Sequence, residues 1–220
     1  MDDEPGAADP ATPTDTPDAT VATGLPPQWT PLQEALRRTA VALRRADVPF
    51  ALVGGYAAWA RGAPEPVHDA DVAVAEEDVG RARDALTAAG LAIAHVTEDW
   101  LVKVVHEGEV VDVIHRFVGR PMTADVLARA DEVEVLAIRM PVLPATEILS
   151  AKLRVLGEHY CDLTGLLPTA RALREQVDWP RLSDEVADHP YARAFLHLAH
   201  ELGVSPVGPG PLREAVPPGA

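Results

Sequence analysis

Positive charge is sparse in this chain: Lys103 and Lys152 are its two lysines, against seventeen arginines, and the formal net charge is −15. Nucleic-acid affinity comes largely from lysine and arginine neutralising phosphates, so such a chain is a poor general binder of DNA or RNA unless it carries a local basic groove. A cationic small molecule is the easier partner on total charge. Cysteine is scarcer still. Cys161 alone excludes an intrachain disulfide and suits a reducing compartment. No run nears the eighteen apolar residues of a membrane span, and the acidic first residues lack the pattern of a secretory signal. The expectation is a cytoplasmic protein with no membrane partner. Two common phosphate motifs are missing as well: there is neither a G-x-G-x-x-G nor a G-x-x-x-x-G-K-[ST]. That lack disfavours a Rossmann-type dehydrogenase. His197 with His200, and His159 near Cys161, do not have the spacing of a zinc site.

What is present divides the 220 residues into four stretches. Residues 1–28 contain no Lys or Arg and no apolar period, and read as a disordered acidic tail rich in Pro and Thr. Residues 29–143 alternate helical and strand-like patterns, residues 144–203 are helical throughout, and the Pro/Gly-rich residues 204–220 read as a second tail. The helical half takes its pattern from Ile148, Leu149, Leu153 and Leu156, and later from Leu163, Leu166, Leu167 and Leu173. Thr30, Pro31 and Gln33 form a helix start, with Leu32, Leu36, Ala40 and Leu43 at helical spacing behind them. Strands are expected over Pro49 to Val53, Asp69 to Val74, Leu91 to Val96, Trp100 to His106 and Glu109 to Ile114. A single strand broken at Pro141 is expected over Val133 to Val142.

Chemistry concentrates between Leu52 and Val74. Gly54 and Gly55 follow an apolar strand, where a backbone without Cβ can approach a ligand and the first N–H groups of a helix from Tyr56 can face a phosphate. Asp69 and Asp71 open the next strand, and residues two apart point to the same face. Adjacent carboxylates repel unless a cation lies between them, and Mg²⁺ characteristically takes one or two carboxylates plus substrate phosphate oxygens. Alternatively, both carboxylates cap a strand in water. Asp112 sits inside a β-branched run, where a carboxylate needs a partner. With Glu107-Gly108 as a two-residue turn, Lys103 lies directly opposite Asp112. Asp112 is therefore either half of a structural ion pair or a third metal-site carboxylate. Lys152, at the edge of an apolar helix face, either snorkels to water or meets an anion. Arg61 and His68 flank the loop before Asp69 and are weaker candidates for touching nucleotide. Arg171, Arg174 and Arg181 offer a basic patch that nucleic acid could use.

Gly54-Gly55, Asp69-Ala70-Asp71-Val72 and Asp112, in that order on alternating elements over residues 30–118, resemble the DNA polymerase β-like nucleotidyltransferase superfamily. Lys152-Leu153 followed by Asp162-Leu163 resembles motifs of its abortive-infection branch, although Cys161 stands where those sequences often have Lys. The resemblance implies an α/β fold of the α+β kind: a mixed-sheet core with flanking helices and a C-terminal helical subdomain. It also implies an enzyme that transfers a nucleoside monophosphate from a nucleoside triphosphate to an acceptor hydroxyl. Asp69, Asp71 and Asp112 would be catalytic and would bind two Mg²⁺ ions. Gly54, Gly55, Lys103, Lys152 and Arg61 would hold the nucleotide. A small, antibiotic-like acceptor is favoured over tRNA. The alternatives are a toxin-type enzyme modifying tRNA or protein, and an inactive nucleotide- or partner-binding module of the same fold.

Overall fold

The computed structural model describes residues 29–210. The tail expected over residues 1–28, and residues 211–220 of the second, lie outside the described residues. Helix α1 (Pro31–Arg45) starts as its sequence dictates: Thr30 Oγ1 accepts from the Gln33 N–H, and the Gln33 side chain accepts from the Thr30 N–H, at 3.2 and 2.9 Å. These bonds satisfy N–H groups that a helix start leaves open. Leu36 and Leu43 on its inner face are wholly buried.

Strand β1 (Phe50–Val53) runs directly into helix α2 (Gly54–Ala60), and β2 (Ala70–Val74) returns antiparallel to β1. A short 3₁₀ turn and helix α3 (Val79–Ala88) lead to β3 (Ala92–Ala94), β4 (Leu101–His106) and β5 (Glu109–Ile114). The β4–β5 hairpin sets Lys103 opposite Asp112, as the turn placement predicts. Two further strands, β6 (Arg116–Phe117) and β7 (Arg120–Pro121), form a separate small hairpin, followed by the single-turn helix α4 (Ala124–Leu127). Strands β8 (Asp131–Val135) and β9 (Ile138–Val142) complete a seven-stranded mixed sheet of order β3-β4-β5-β2-β1-β9-β8. Helices α5 (Ala145–Arg154), α6 (Leu163–Leu173), α7 (Trp179–Glu185) and α8 (Pro190–Glu201) form the helical half. No described helix is long and apolar enough to cross a membrane.

Two local expectations are corrected, and one element had not been expected. The stretch Val133 to Val142 is not one broken strand but a hairpin, with Leu136 and Ala137 at φ 52° and 57° in its turn. A two-residue turn of this kind normally advertises itself with Asn or Gly, and neither is present. The β6–β7 hairpin went unforeseen because two-residue strands have no period to read. Residues 204–210, expected in the tail, pack on the helices: Val204 and Ser205 are buried, and Gly210 donates its N–H to Ser183 Oγ at 2.9 Å. One apolar residue and a few backbone hydrogen bonds suffice there, despite the Pro/Gly-rich composition.

Arg61 is a clasp for the fold. Its guanidinium donates to the carbonyls of Leu143 and Val142 at 2.7 and 2.9 Å and to Asp131 at 2.7 Å. These bonds fasten the end of α2 to β8, β9 and the approach to α5. Because the side chain is only 12% exposed, Arg61→Ala should cost about 2–4 kcal/mol by stranding those acceptors. The urea midpoint measures it. An unchanged midpoint would show that water replaces the guanidinium without loss.

Candidate active site

The site is assembled where β1, β2 and β5 lie side by side. Parallel pairing of β2 with β5 places Asp71 beside Asp112, and antiparallel pairing of β1 with β2 places Val53 beside Asp71. Gly54, next in the chain, has φ +65°, and a Cβ on it would overlap Asp71 Oδ2. The glycine is required twice, by its left-handed backbone and by the carboxylate resting against it. At Gly55 a Cβ would come within 2.8 Å of Pro66 Cβ, so the second glycine lets the loop before β2 close over the first turn of α2. That helix begins at Gly54 with no side-chain cap at its N-terminus.

The electrostatics centre on Asp71. Burial first, then the carboxylates of Asp112 and Asp69, push its carboxyl up from 3.8 to about 7, against the opposing pull of Lys152 and Lys103. Four charged groups therefore act on this one carboxyl. Asp69 is exposed, in the loop immediately before β2. Lys103 Nζ donates to both Asp112 oxygens, at 3.0 and 3.2 Å. Asp112 is thus half of a cross-strand ion pair as well as the neighbour of Asp71. Among the described residues no group of three or more His, Cys, Asp or Glu side chains is arranged to hold a metal ion. The three carboxylates are neighbours, but they do not form a closed clamp.

Two cavities meet these residues. A cleft of about 660 Å³ is lined by Gly54, Asp71 and Lys152 and runs between the sheet and α5, α7 and the β6–β7 hairpin. A smaller one, about 130 Å³, is lined by His68, Asp69, Lys103 and Asp112. Lys152 makes no hydrogen bond or ion pair among the described residues, and its charge is felt by Asp71. Arg61 lines neither cavity. Asp162, paired with Lys152 in the sequence motif, instead caps α6: its carboxylate accepts from the Gly165 N–H at 2.8 Å, which holds it below the usual carboxylate range. Of the basic patch, Arg181 is bound by Glu147 and Glu185, both at 2.8 Å, and Arg174 by Glu175 at 3.0 Å.

Several cleft residues escaped sequence reasoning, among them Trp100, Phe117, Arg120 and Glu147. Only Glu147 left a trace, as a carboxylate beside Ile148 and Leu149 and five residues before Lys152 in the same helix.

Among solved structures the chain is similar to ANT(2'')-Ia in complex with adenylyl-2''-tobramycin, at 14% identity and a TM-score of 0.55, covering 76% of this chain and 97% of that one. It is also similar to the solution structure of the antibiotic-resistance factor ANT(2'')-Ia, at 12% identity and a TM-score of 0.54, covering 78% and 96%. Both likenesses are of fold. No curated protein matches the sequence. The glycine pair, the paired aspartates and the mixed sheet lie within residues 30–204, which match the family model described as uncharacterised nucleotidyltransferase, and the chain belongs to that nucleotidyltransferase family.

Proposed function

We infer that the chain transfers a nucleoside monophosphate from a nucleoside triphosphate to a hydroxyl on a small-molecule acceptor, with Mg²⁺ as cofactor. The observation that carries this reading is the gathering of charge on Asp71: it lines the large cleft with Gly54 and Lys152, rests against Gly54, feels the Lys152 charge, and lies in register with Asp112, which lines the small cavity. ANT(2'')-Ia, of the same fold, has been solved with an adenylylated small molecule, which agrees with a small acceptor.

The donor set fits a hard divalent ion. Asp71 is desolvated and crowded by two carboxylates, and a cation between them would relieve both penalties. Asp69 and Asp71 would hold it, with Asp112 able to join by exchanging one oxygen from Lys103. Bound Mg²⁺ would neutralise phosphate charge and align the triphosphate. The uncapped N–H groups of α2 would receive phosphate oxygens beside Gly54. Lys152 would offset the charge that builds on departing pyrophosphate, and Asp112 would accept the proton of the attacking hydroxyl. The new bond joins the acceptor oxygen to the α-phosphorus, and the bond to pyrophosphate breaks. Most of the protein's contribution is positioning.

Each labelled nucleoside triphosphate, offered with Mg²⁺ and separate pools of small molecules, RNA and protein, should yield a labelled product in the small-molecule pool. The Asp69→Ala/Asp71→Ala double variant should yield none. Transfer that survives the double substitution overturns the mechanism, whichever pool is labelled.

A further inference from the structure

The charge of the cleft is opposite to that of the chain. Arg120, Arg129, Lys152, Arg154 and Arg181 line it, against the three carboxylates of Asp71, Glu147 and Glu185. Two of those carboxylates are already engaged: Arg181 bonds Glu147 and Glu185, and Arg129 lies 3.4 Å from the same Glu147 oxygen. Arg154 is paired with Asp188, outside the cleft, at 3.8 Å, so Arg120 and Lys152 are the cations of the lining with no carboxylate bonded to them among the described residues. Arg120 makes no hydrogen bond or ion pair among the described residues and is exposed. A chain at −15 thus presents this cleft with a cationic surplus.

Apolar surface gathers at the same mouth. Trp100, Val118 and Val155 line the cleft, and all three are large apolar residues left 41, 56 and 45% exposed. Val118 is held at φ 48° in the turn of the β6–β7 hairpin, a left-handed backbone that disfavours a β-branched residue. Strain of this kind concentrates where structure serves binding. Glu147 adds a third signal: its side chain is 10% exposed, and its Oε2 is buried with no partner among the described residues. A shielded acceptor oxygen calls for an N–H or O–H donor. Because the charge of Glu147 is already met by arginines, a neutral hydroxyl suffices.

We propose that the mouth of the cleft, between the β6–β7 hairpin and α5, is the acceptor subsite, and that it takes a hydroxylated small molecule with a flat apolar face and neutral or anionic charge, not a polycation. The flat face would lie against Trp100 and Val118, a hydroxyl would donate to Glu147, and Arg120 would meet an anionic substituent. A polycation would face the arginines instead. This reverses the preference drawn from total charge, because a ligand senses the local field of the cavity and not the net charge of the chain. The proposal rests on the transferase reading only in the word acceptor; the chemistry of the subsite can be tested by binding alone.

Isothermal titration of the full chain with methylumbelliferyl glucuronide, methylumbelliferyl glucoside and tobramycin compares an aromatic anion, its neutral counterpart and a polycation. The glucuronide should bind tightest and tobramycin weakest. Arg120→Glu, an exposed position whose fold is checked by its melting curve, should weaken the glucuronide about tenfold, the equivalent of ~1.4 kcal/mol, and leave the glucoside unchanged. Trp100→Ala should weaken both. Glucuronide binding should persist when a methylene-bridged ATP analogue and Mg²⁺ are added first. Displacement by the analogue would make the mouth the nucleobase site and overturn the proposal. Tighter binding of tobramycin, or of a short RNA, would overturn it too. Loss of transfer activity in every pool, with these binding results intact, would remove the enzymatic reading and leave the ligand class standing.

Discussion

Asp71→Asn should abolish transfer while making the metal-free chain more stable at neutral and higher pH. The folded Asp71 carboxyl is pushed from 3.8 up to about 7, so folding favours the protonated form. Stability from this group is complete at pH values below the ordinary carboxylate range, declines as pH rises, and is lost once pH passes about 7. Asparagine cannot ionise and escapes that loss. The gain above pH 7 should be roughly 2–4 kcal/mol, while wild type and variant should converge near pH 4. Denaturant unfolding at both pH values in a chelator checks this. Transfer should fall roughly a thousandfold or more, because losing a carboxylate that would gather cationic charge at the phosphate loses several kcal/mol of transition-state stabilisation. Mg²⁺ with nucleotide should raise the wild-type melting temperature and not that of the variant. A variant that gains nothing at high pH would mean that Asp71 is not crowded, and would remove the argument for a cation there.

Gly54→Ala should be the most damaging alanine substitution among the described glycines. The backbone at φ +65° penalises any side chain, and the new Cβ would overlap Asp71 Oδ2. The carboxylate must swing away, and displacement of a catalytic group by about an ångström costs roughly a hundredfold in rate. A stability loss of about 1–3 kcal/mol should accompany it. Gly62→Ala separates the two effects: Gly62 also has positive φ, +104°, but a Cβ there meets nothing within 4 Å. It should lose stability and keep its rate. Equal activity in both alanine variants would show that Asp71 does not depend on the space above Gly54.

Much of this site could be read from the chain. Gly54-Gly55 and Asp71 announced themselves because their spacing is local, and Lys103 opposite Asp112 followed from one turn and one hairpin register. The neighbour relation of Asp71 and Asp112 could not be read, since it depends on β2 and β5 pairing in parallel across an intervening helix and hairpin. Arg61 misled for a similar reason. A guanidinium near a phosphate-like loop reads as a ligand contact, and only the return of β9 supplies the Leu143 and Val142 carbonyls that claim it. Asp162 is a local cap that imitated a motif.

By itself the sequence determined the helix starts, most strand positions and the identity of the acidic and cationic groups, because periodicity, capping and turn chemistry act over a few residues. Tertiary structure alone decided which charges meet. It placed the Asp71 carboxylate on Gly54, gave Asp112 to Lys103, tied Arg61 into the fold, and set five cationic side chains around a large cleft of an acidic protein. Coulombic and steric effects depend on separation in space, and strand pairing, not sequence distance, sets that separation.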